Sequence, residues 1–262
     1  MFYAALNAVA GYGLGVNDMQ YLGGKSKIRK QVAEFLESVR EGRDYFEPFV
    51  GGGWVLQEMS GTRIASDGNI ALIALYKALQ EGWEPPDFVS EDEWRYYRSM
   101  PFPIDDPMMA FARFGCGFGG DWNGGYARSS GKTCYAATSK RSLLKQLPMI
   151  KDVTFVHGTY DVHTPHGMLI YCDPPYANTT SYGAFDGFNH DDFWETVREW
   201  CKTNTVVVSE YKAPEDFTCV REFVSQMGLS SGDASTRPKR IERVFMHESQ
   251  MWKAFPEWMR PC

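Results

Sequence analysis

Apolar residues recur along the chain in two rhythms that take turns. Ile28, Val32, Phe35, Leu36 and Val39 return at three- and four-residue spacings, which predicts an amphipathic helix. The same rhythm predicts a helix over Ile70–Gln80, broken by Gly82-Trp83-Glu84-Pro85-Pro86. A further helix is expected from Ser90, because Ser90 and Glu93 have capping-box spacing. Short helices are read from Trp54, over 140–147, and after Asn189, a good N-cap residue. Between these lie short unbroken apolar runs with strand character at 45–46, 63–66, 153–157, 168–172 and 205–209, and the end of the stretch 237–245 also reads as a strand. Strands that alternate with helices predict an α/β sheet protein.

The run at 168–172 has the length and continuity of a strand buried on both faces. It stops at Asp173-Pro174-Pro175-Tyr176. Neither proline can donate to a ladder, so pairing ends there, and Pro175 keeps Pro174 out of the α region. The corner therefore presents a carboxylate, free carbonyls and an aromatic ring at a strand's carboxyl end, where open α/β sheets bind ligands. Such a set suits the exocyclic amine of a nucleobase, a poor nucleophile whose lone pair is delocalised. Asp173 and the Pro174 carbonyl can accept its two hydrogens, and Tyr176 can stack on the base, a contact worth roughly 1–3 kcal/mol. The plainer alternative is a turn, for which Asp-Pro-Pro is also suitable.

Two other stretches look built for a ligand. Phe46-Glu47-Pro48-Phe49-Val50-Gly51-Gly52-Gly53 is a strand running into a glycine loop, without the G-x-G-x-x-G of dinucleotide folds. Asp67-Gly68-Asn69 then ends the next strand in an acid, a common arrangement for holding ribose hydroxyls. Gly24-Lys25-Ser26 resembles the end of a P-loop, but Met19 stands where that motif needs glycine. Around Arg113-Phe114-Gly115-Cys116-Gly117-Phe118-Gly119-Gly120-Asp121-Trp122-Asn123-Gly124-Gly125-Tyr126 the chain is too irregular for a sheet element. Glycines mixed with aromatics suit stacking and close approach to a nucleic acid, or a loop packed by its own rings.

Composition narrows this picture in three places. A net charge of −6 opposes nucleic acid overall, so any such contact must rest on local basic clusters. These are Lys132, Lys140, Arg141 and Lys145, then Arg237, Lys239, Arg240 and Arg243. The six cysteines form no C-x-x-C pair and point to a reducing compartment, the cytoplasm. His157, His163 and His166 lack a matched acid or cysteine set and read as loop residues, so no metal is expected. No apolar run approaches about 18 residues, so no membrane span is expected.

Taken together, Tyr21-Leu22-Gly23-Gly24-Lys25, the 46–53 loop, Ser66-Asp67-Gly68-Asn69, Asp173-Pro174-Pro175-Tyr176 and Ser209-Glu210-Tyr211 resemble the motifs of Dam-type (alpha-group) DNA adenine N6-methyltransferases, especially phage and prophage versions. The resemblance implies a Rossmann-like methyltransferase sheet carrying an inserted target-recognition region. In that scheme 19–85 and 150–250 are catalytic, 86–149 is the insert, 1–18 an appendage (Met19 being a candidate start) and 251–262 a tail. It implies S-adenosylmethionine as methyl donor, held by Tyr21, Gly23, Gly24, Lys25, Glu47, Pro48, Phe49, Gly51, Gly53, Asp67, Asn69, Tyr160 and Asp173. Asp173, Pro174, Pro175 and Tyr176 would be catalytic. Double-stranded DNA would be the partner of a monomer, contacted by Arg113, Trp122, Tyr126, Arg128, Lys132, Arg237, Lys239 and Arg240, with a cognate restriction enzyme as a further partner. Thr159-Tyr160 and Tyr21 depart from the family pattern, which often has an acid before the aromatic and Trp, respectively. RNA adenine methylation and an inactive DNA-binding regulator of the same fold are the alternative readings.

Overall fold

The computed structural model describes residues 24–128, 134–176, 188–226 and 239–254. In chain order the elements are α1 (Arg29–Arg40), β1 (Tyr45–Glu47), β2 (Arg63–Asp67), α2 (Ile70–Gln80), α3 (Glu91–Ser99), α4 (Pro107–Ala110), α5 (Tyr135–Ile150), β3 (Thr154–His157), β4 (Leu169–Cys172), α6 (His190–Cys201), β5 (Thr205–Glu210), β6 (Phe217–Gln226), β7 (Lys239–His247) and α7 (Met251–Ala254). The strands form one seven-stranded sheet in the order β3-β2-β1-β4-β5-β7-β6. β1 to β5 run parallel to one another, while β7 is antiparallel to both β5 and β6. The expected α/β, Rossmann-like sheet is therefore present.

Both faces of the sheet are covered, as a parallel sheet requires. Successive residues of β4 show it directly. Leu169 and Tyr171 join an apolar cluster with Leu36 of α1, Leu72 of α2 and Leu143 of α5. Ile170 and Cys172 join a second cluster with Phe193, Val197 and Trp200 of α6. Each such fully buried aliphatic side chain contributes about 1.5–3 kcal/mol relative to leaving it in water. The predicted caps also form. Ser90 and Glu93 close a reciprocal capping box on α3, and the Asn69 and Asn189 side chains accept backbone N–H groups at the starts of α2 and α6.

Four segments differ from expectation. The helix expected over 140–147 is twice as long, running Tyr135–Ile150, because Thr, Ser and Lys interrupt its apolar face. The helix expected from Trp54 is a single tight turn, Leu56–Glu58. Just before the stretch read as too irregular for a sheet element, where no helix was expected, Asp106 caps α4 with Pro107 in its first turn, and a wide helical turn over Phe111–Gly115 continues it. Met109, Ala110, Phe111 and Ala112 are fully buried against the same cluster as Leu72, so this part of the insert belongs to the core. Lastly, β6 was not anticipated, since it is an edge strand with Arg221 and Glu222 exposed, and its register comes from pairing with β7. Among the described residues no helix is long and apolar enough to cross a membrane.

Candidate active site

The chain leaves β1 towards β2 and leaves β4 towards β5, so the strand order reverses between these two neighbours. That reversal opens a crevice at the strands' carboxyl ends. A cleft of about 140 Å³ lies there, lined by Lys25, residues 47–52, Asp67, Tyr160, residues 173–176 and Phe188 among others.

One end of the cleft is built by the glycine loop. Gly51 and Gly53 have φ of 46° and 65°, in the left-handed region that favours glycine. At Gly53 a Cβ would also press on Gln146 at 3.2 Å and the Tyr76 hydroxyl at 3.3 Å. Tyr76 donates to the Gly51 carbonyl at 2.7 Å, and Gln146 of α5 donates to the Gly52 carbonyl at 3.0 Å, so helices on either side hold the loop. The Gly51 N–H, at 3.0 Å, and the Asn69 N–H, at 2.9 Å, donate to opposite oxygens of the Asp67 carboxylate. Burial raises Asp67 to about 6 against the pull of those two donors. Asn69, not Asp67, caps α2, so the acid is left to face the cleft. Phe49, Tyr160 and Phe188 make an aromatic wall with ring centroids 5.5–5.9 Å apart.

The other end is the corner after β4. Lys25 Nζ donates to both oxygens of Asp173, at 2.6 and 2.7 Å, and lies 4.8 Å from the centroid of the Tyr176 ring. Burial pushes the Asp173 carboxyl up, and Lys25 opposes that shift. The Tyr176 hydroxyl lies 2.7 Å from Ser209 Oγ on β5 and donates to Glu242 Oε2 on β7 at 2.8 Å. Tyr211 meets the Tyr176 ring edge-on at 4.7 Å. Deeper in the cleft, Tyr45 donates to Glu47 at 2.7 Å, and burial holds the Glu47 carboxyl well above its usual range despite that bond.

Residues 21–94 match the family of D12 class N6 adenine-specific DNA methyltransferases. The match takes in Lys25, the glycine loop and Asp67. The chain is also 26% identical over 218 residues to the type II methyltransferase M.MjaIII of Methanocaldococcus jannaschii, covering 66% of this chain and 75% of that protein. Among solved structures, TrmN from Thermus thermophilus is similar over 83% of this chain and 48% of its own, at 12% identity and a TM-score of 0.36. The chain thus spans about half the length of that structure.

Of the residues singled out from sequence, the fold brings Gly24, Lys25, Glu47, Pro48, Phe49, Gly51, Asp67, Tyr160, Asp173, Pro174, Pro175 and Tyr176 to the one cleft. Gly53 and Asn69 support it from behind. Tyr21 and Gly23 lie outside the described residues. Three residues were missed: Ser209, Tyr211 and Glu242. Ser209 near the end of β5 and Tyr211 just past it belong to a motif already noted, though neither was given a role. Glu242 sits among basic residues on an alternating strand, and its inward position was the only available signal.

The candidates for nucleic-acid contact fare differently. Arg113 was expected to face DNA, but it is buried. It donates to the Trp122 carbonyl at 3.0 Å and to Asn123 at 3.3 Å, and its guanidinium lies 4.0 Å from the Trp122 ring centroid. Burial lowers it to about 10. Trp122 is buried against Phe102 and Phe114, and Tyr126 donates to the Val89 carbonyl beside Trp94. Arg113 and Trp122 thus lie in the interior of the 101–128 region and half-buried Tyr126 packs at its edge, because the glycine-rich chain turns its larger rings inward. Arg128 is exposed and bonded to Glu91 at 3.0 Å. Phe118, 73% exposed, is the aromatic that the stretch 113–126 presents to solvent. Lys132 and Arg237 lie outside the described residues, and of Lys239 and Arg240 only the backbone position at the start of β7 is described.

Proposed function

We propose that the protein transfers a methyl group from S-adenosylmethionine to the N6 amine of adenine in double-stranded DNA. The observation that carries this reading is that Asp67 with its glycine loop and Asp173 with its proline corner open into one cleft. A donor pocket and an amine-binding corner must be contiguous for a direct transfer. The family match over residues 21–94 and the similarity to a type II methyltransferase support it.

The residues present fit the donor. Each Asp67 oxygen uses one lone pair on a backbone N–H and keeps another for a ribose hydroxyl. The wall of Phe49, Tyr160 and Phe188 offers apolar faces to an adenine ring. When bound, the donor supplies an electrophilic methyl carbon on a sulfonium, whose departing electron pair stays on sulfur. Asp173 and the Pro174 carbonyl accept the two hydrogens of the target amine and aim its lone pair at that carbon. As the new N–C bond forms, one of those N–H protons is lost to Asp173 or onward to water. The base must leave the duplex to reach this corner, since its amine is out of reach inside the stack. Bases around it are then read by other surfaces. With Arg113 and Trp122 turned inward, the exposed Phe118 and Arg128 of the insert and the basic start of β7 are the candidates.

The test is incubation of the protein with labelled donor and with duplex DNA, single-stranded DNA or RNA, followed by nucleoside analysis. Label on N6-methyladenine from duplex DNA is expected. Label on cytosine, label only from RNA, or donor binding without transfer would each overturn the proposal.

A further inference from the structure

In the catalytic corner a single ammonium, that of Lys25, is shared by the carboxylates of Asp173 and Glu242. Lys25 holds both oxygens of Asp173 and lies 3.8 Å from Glu242 Oε2, with Lys25 and Glu242 side chains only 5% and 4% exposed. Glu242 reaches this point because alternation along β7 turns it to the same face as Val244 and Met246, which join the cluster beside α1. This arrangement poses a chemical conflict. Each Asp173 oxygen keeps a lone pair for the target amine beside its bond from Lys25, but an amine proton passed to Asp173 cancels the charge with which Lys25 is paired. A buried ammonium cannot simply let go, because an unpaired charge in that setting is costly.

We propose that Glu242 is a positioning residue with two tasks: it anchors the Tyr176 ring through the phenol, and it is the second counter-ion onto which Lys25 slides when Asp173 takes up the amine's proton. The ammonium then travels about an ångström and stays paired throughout. The 2.8 Å bond from Tyr176 fixes the ring's tilt over the same space, so ring and cation are set by one carboxylate. This inference rests on the methyl-transfer reading above, and its test separates the two.

Asp173 is faced by Lys25, by Glu47 from β1, by Tyr171 and Cys172 of its own strand, by Tyr176 and by Glu242. In Glu242→Gln the amide oxygen still accepts from Tyr176, but the counter-ion is gone and Lys25 belongs to Asp173 alone. Two readouts follow. First, single-turnover methyl transfer should slow by at least about tenfold, with the dissociation constants for donor and DNA unchanged. Second, in the protein without donor or DNA, the Asp173 carboxyl should titrate at lower pH than in the wild type, followed by carbon NMR with Asp173→Asn as the assignment control. Glu242→Asp, which keeps the charge but withdraws it by one methylene, should restore the titration midpoint in large part while remaining slower than the wild type. Should Glu242→Gln not fold, Glu242→Asp carries the test through its slower transfer at unchanged affinities. Wild-type rates in the folded variants, an unmoved Asp173 midpoint, or losses of affinity in proportion to the loss of rate would overturn the proposal. A wild-type protein that methylates nothing would sink the functional reading, while the donor-free titration would still decide this one.

Discussion

Replacing Lys25 with methionine removes the ammonium and keeps most of the apolar stem, so it isolates the charge of the Lys25–Asp173 pair. The pair is mostly buried, with side chains 5% and 19% exposed, and its two bonds are 2.6 and 2.7 Å long. Removing one partner of such a pair costs about 3–5 kcal/mol. A ceiling applies, because Asp173 can escape by taking up a proton. For a carboxyl that ionises near its ordinary value this costs about 1.36 kcal/mol per pH unit, roughly 4 kcal/mol at pH 7. Burial already holds Asp173 above that ordinary value, which lowers the ceiling. The expected loss is therefore about 3 kcal/mol at pH 7. Its pH dependence has a definite sign. Below the folded-state value of Asp173 the carboxyl is neutral in both proteins and the difference is small. As pH rises through that value the wild type gains its ion pair, whereas the variant must ionise a buried acid that now faces Glu242 with no cation between them. The deficit should open with rising pH and level off above the variant's higher value. Urea unfolding at about pH 5 and about pH 8 measures it. A deficit that is equal at both pH values, or larger in acid, would refute the reasoning.

Asp173→Ala should reduce methyl transfer by orders of magnitude in a protein that still folds, since Lys25 retains Glu242 within 3.8 Å; near-normal turnover would exclude Asp173 as the amine's acceptor. Donor affinity should fall as pH drops through about 6, where Asp67 gains its proton and loses the charge that strengthens its bonds from hydroxyls, and Asp67→Asn should weaken binding while flattening that dependence in calorimetry. Arg113→Ala removes two hydrogen bonds and a ring contact from the interior of the insert and should cost about 2–3 kcal/mol in unfolding experiments. An unchanged salt slope for DNA binding in that variant would confirm that Arg113 holds the insert together and touches no phosphate.

Local chemistry accounts for what the sequence alone determined. The five parallel strands, the cap residues Ser90, Asn69 and Asn189, the glycine loop and the stop at Asp173-Pro174-Pro175 are all legible because each is specified by residues within a turn or two of itself. Even the pairing of Asp67 with the glycine loop could be read from their spacing in a βαβ unit. What the tertiary structure decided involves distant partners. Arg113 looks like a ligand for nucleic acid in one dimension, and only the folded insert shows its donors spent on Trp122 and Asn123. β6 carries charges on its exposed edge and is a strand because β7 lies beside it. Lys25 and Glu242 are separated by most of the chain, and neither the helix that follows the one nor the strand that carries the other specifies that they meet. They meet at Asp173 because the sheet places β7 next to β5, one strand away from β4, and side-chain alternation turns Glu242 inward. A buried charge finds its partner only in the completed fold, so the electrostatics of this corner could not be read before it.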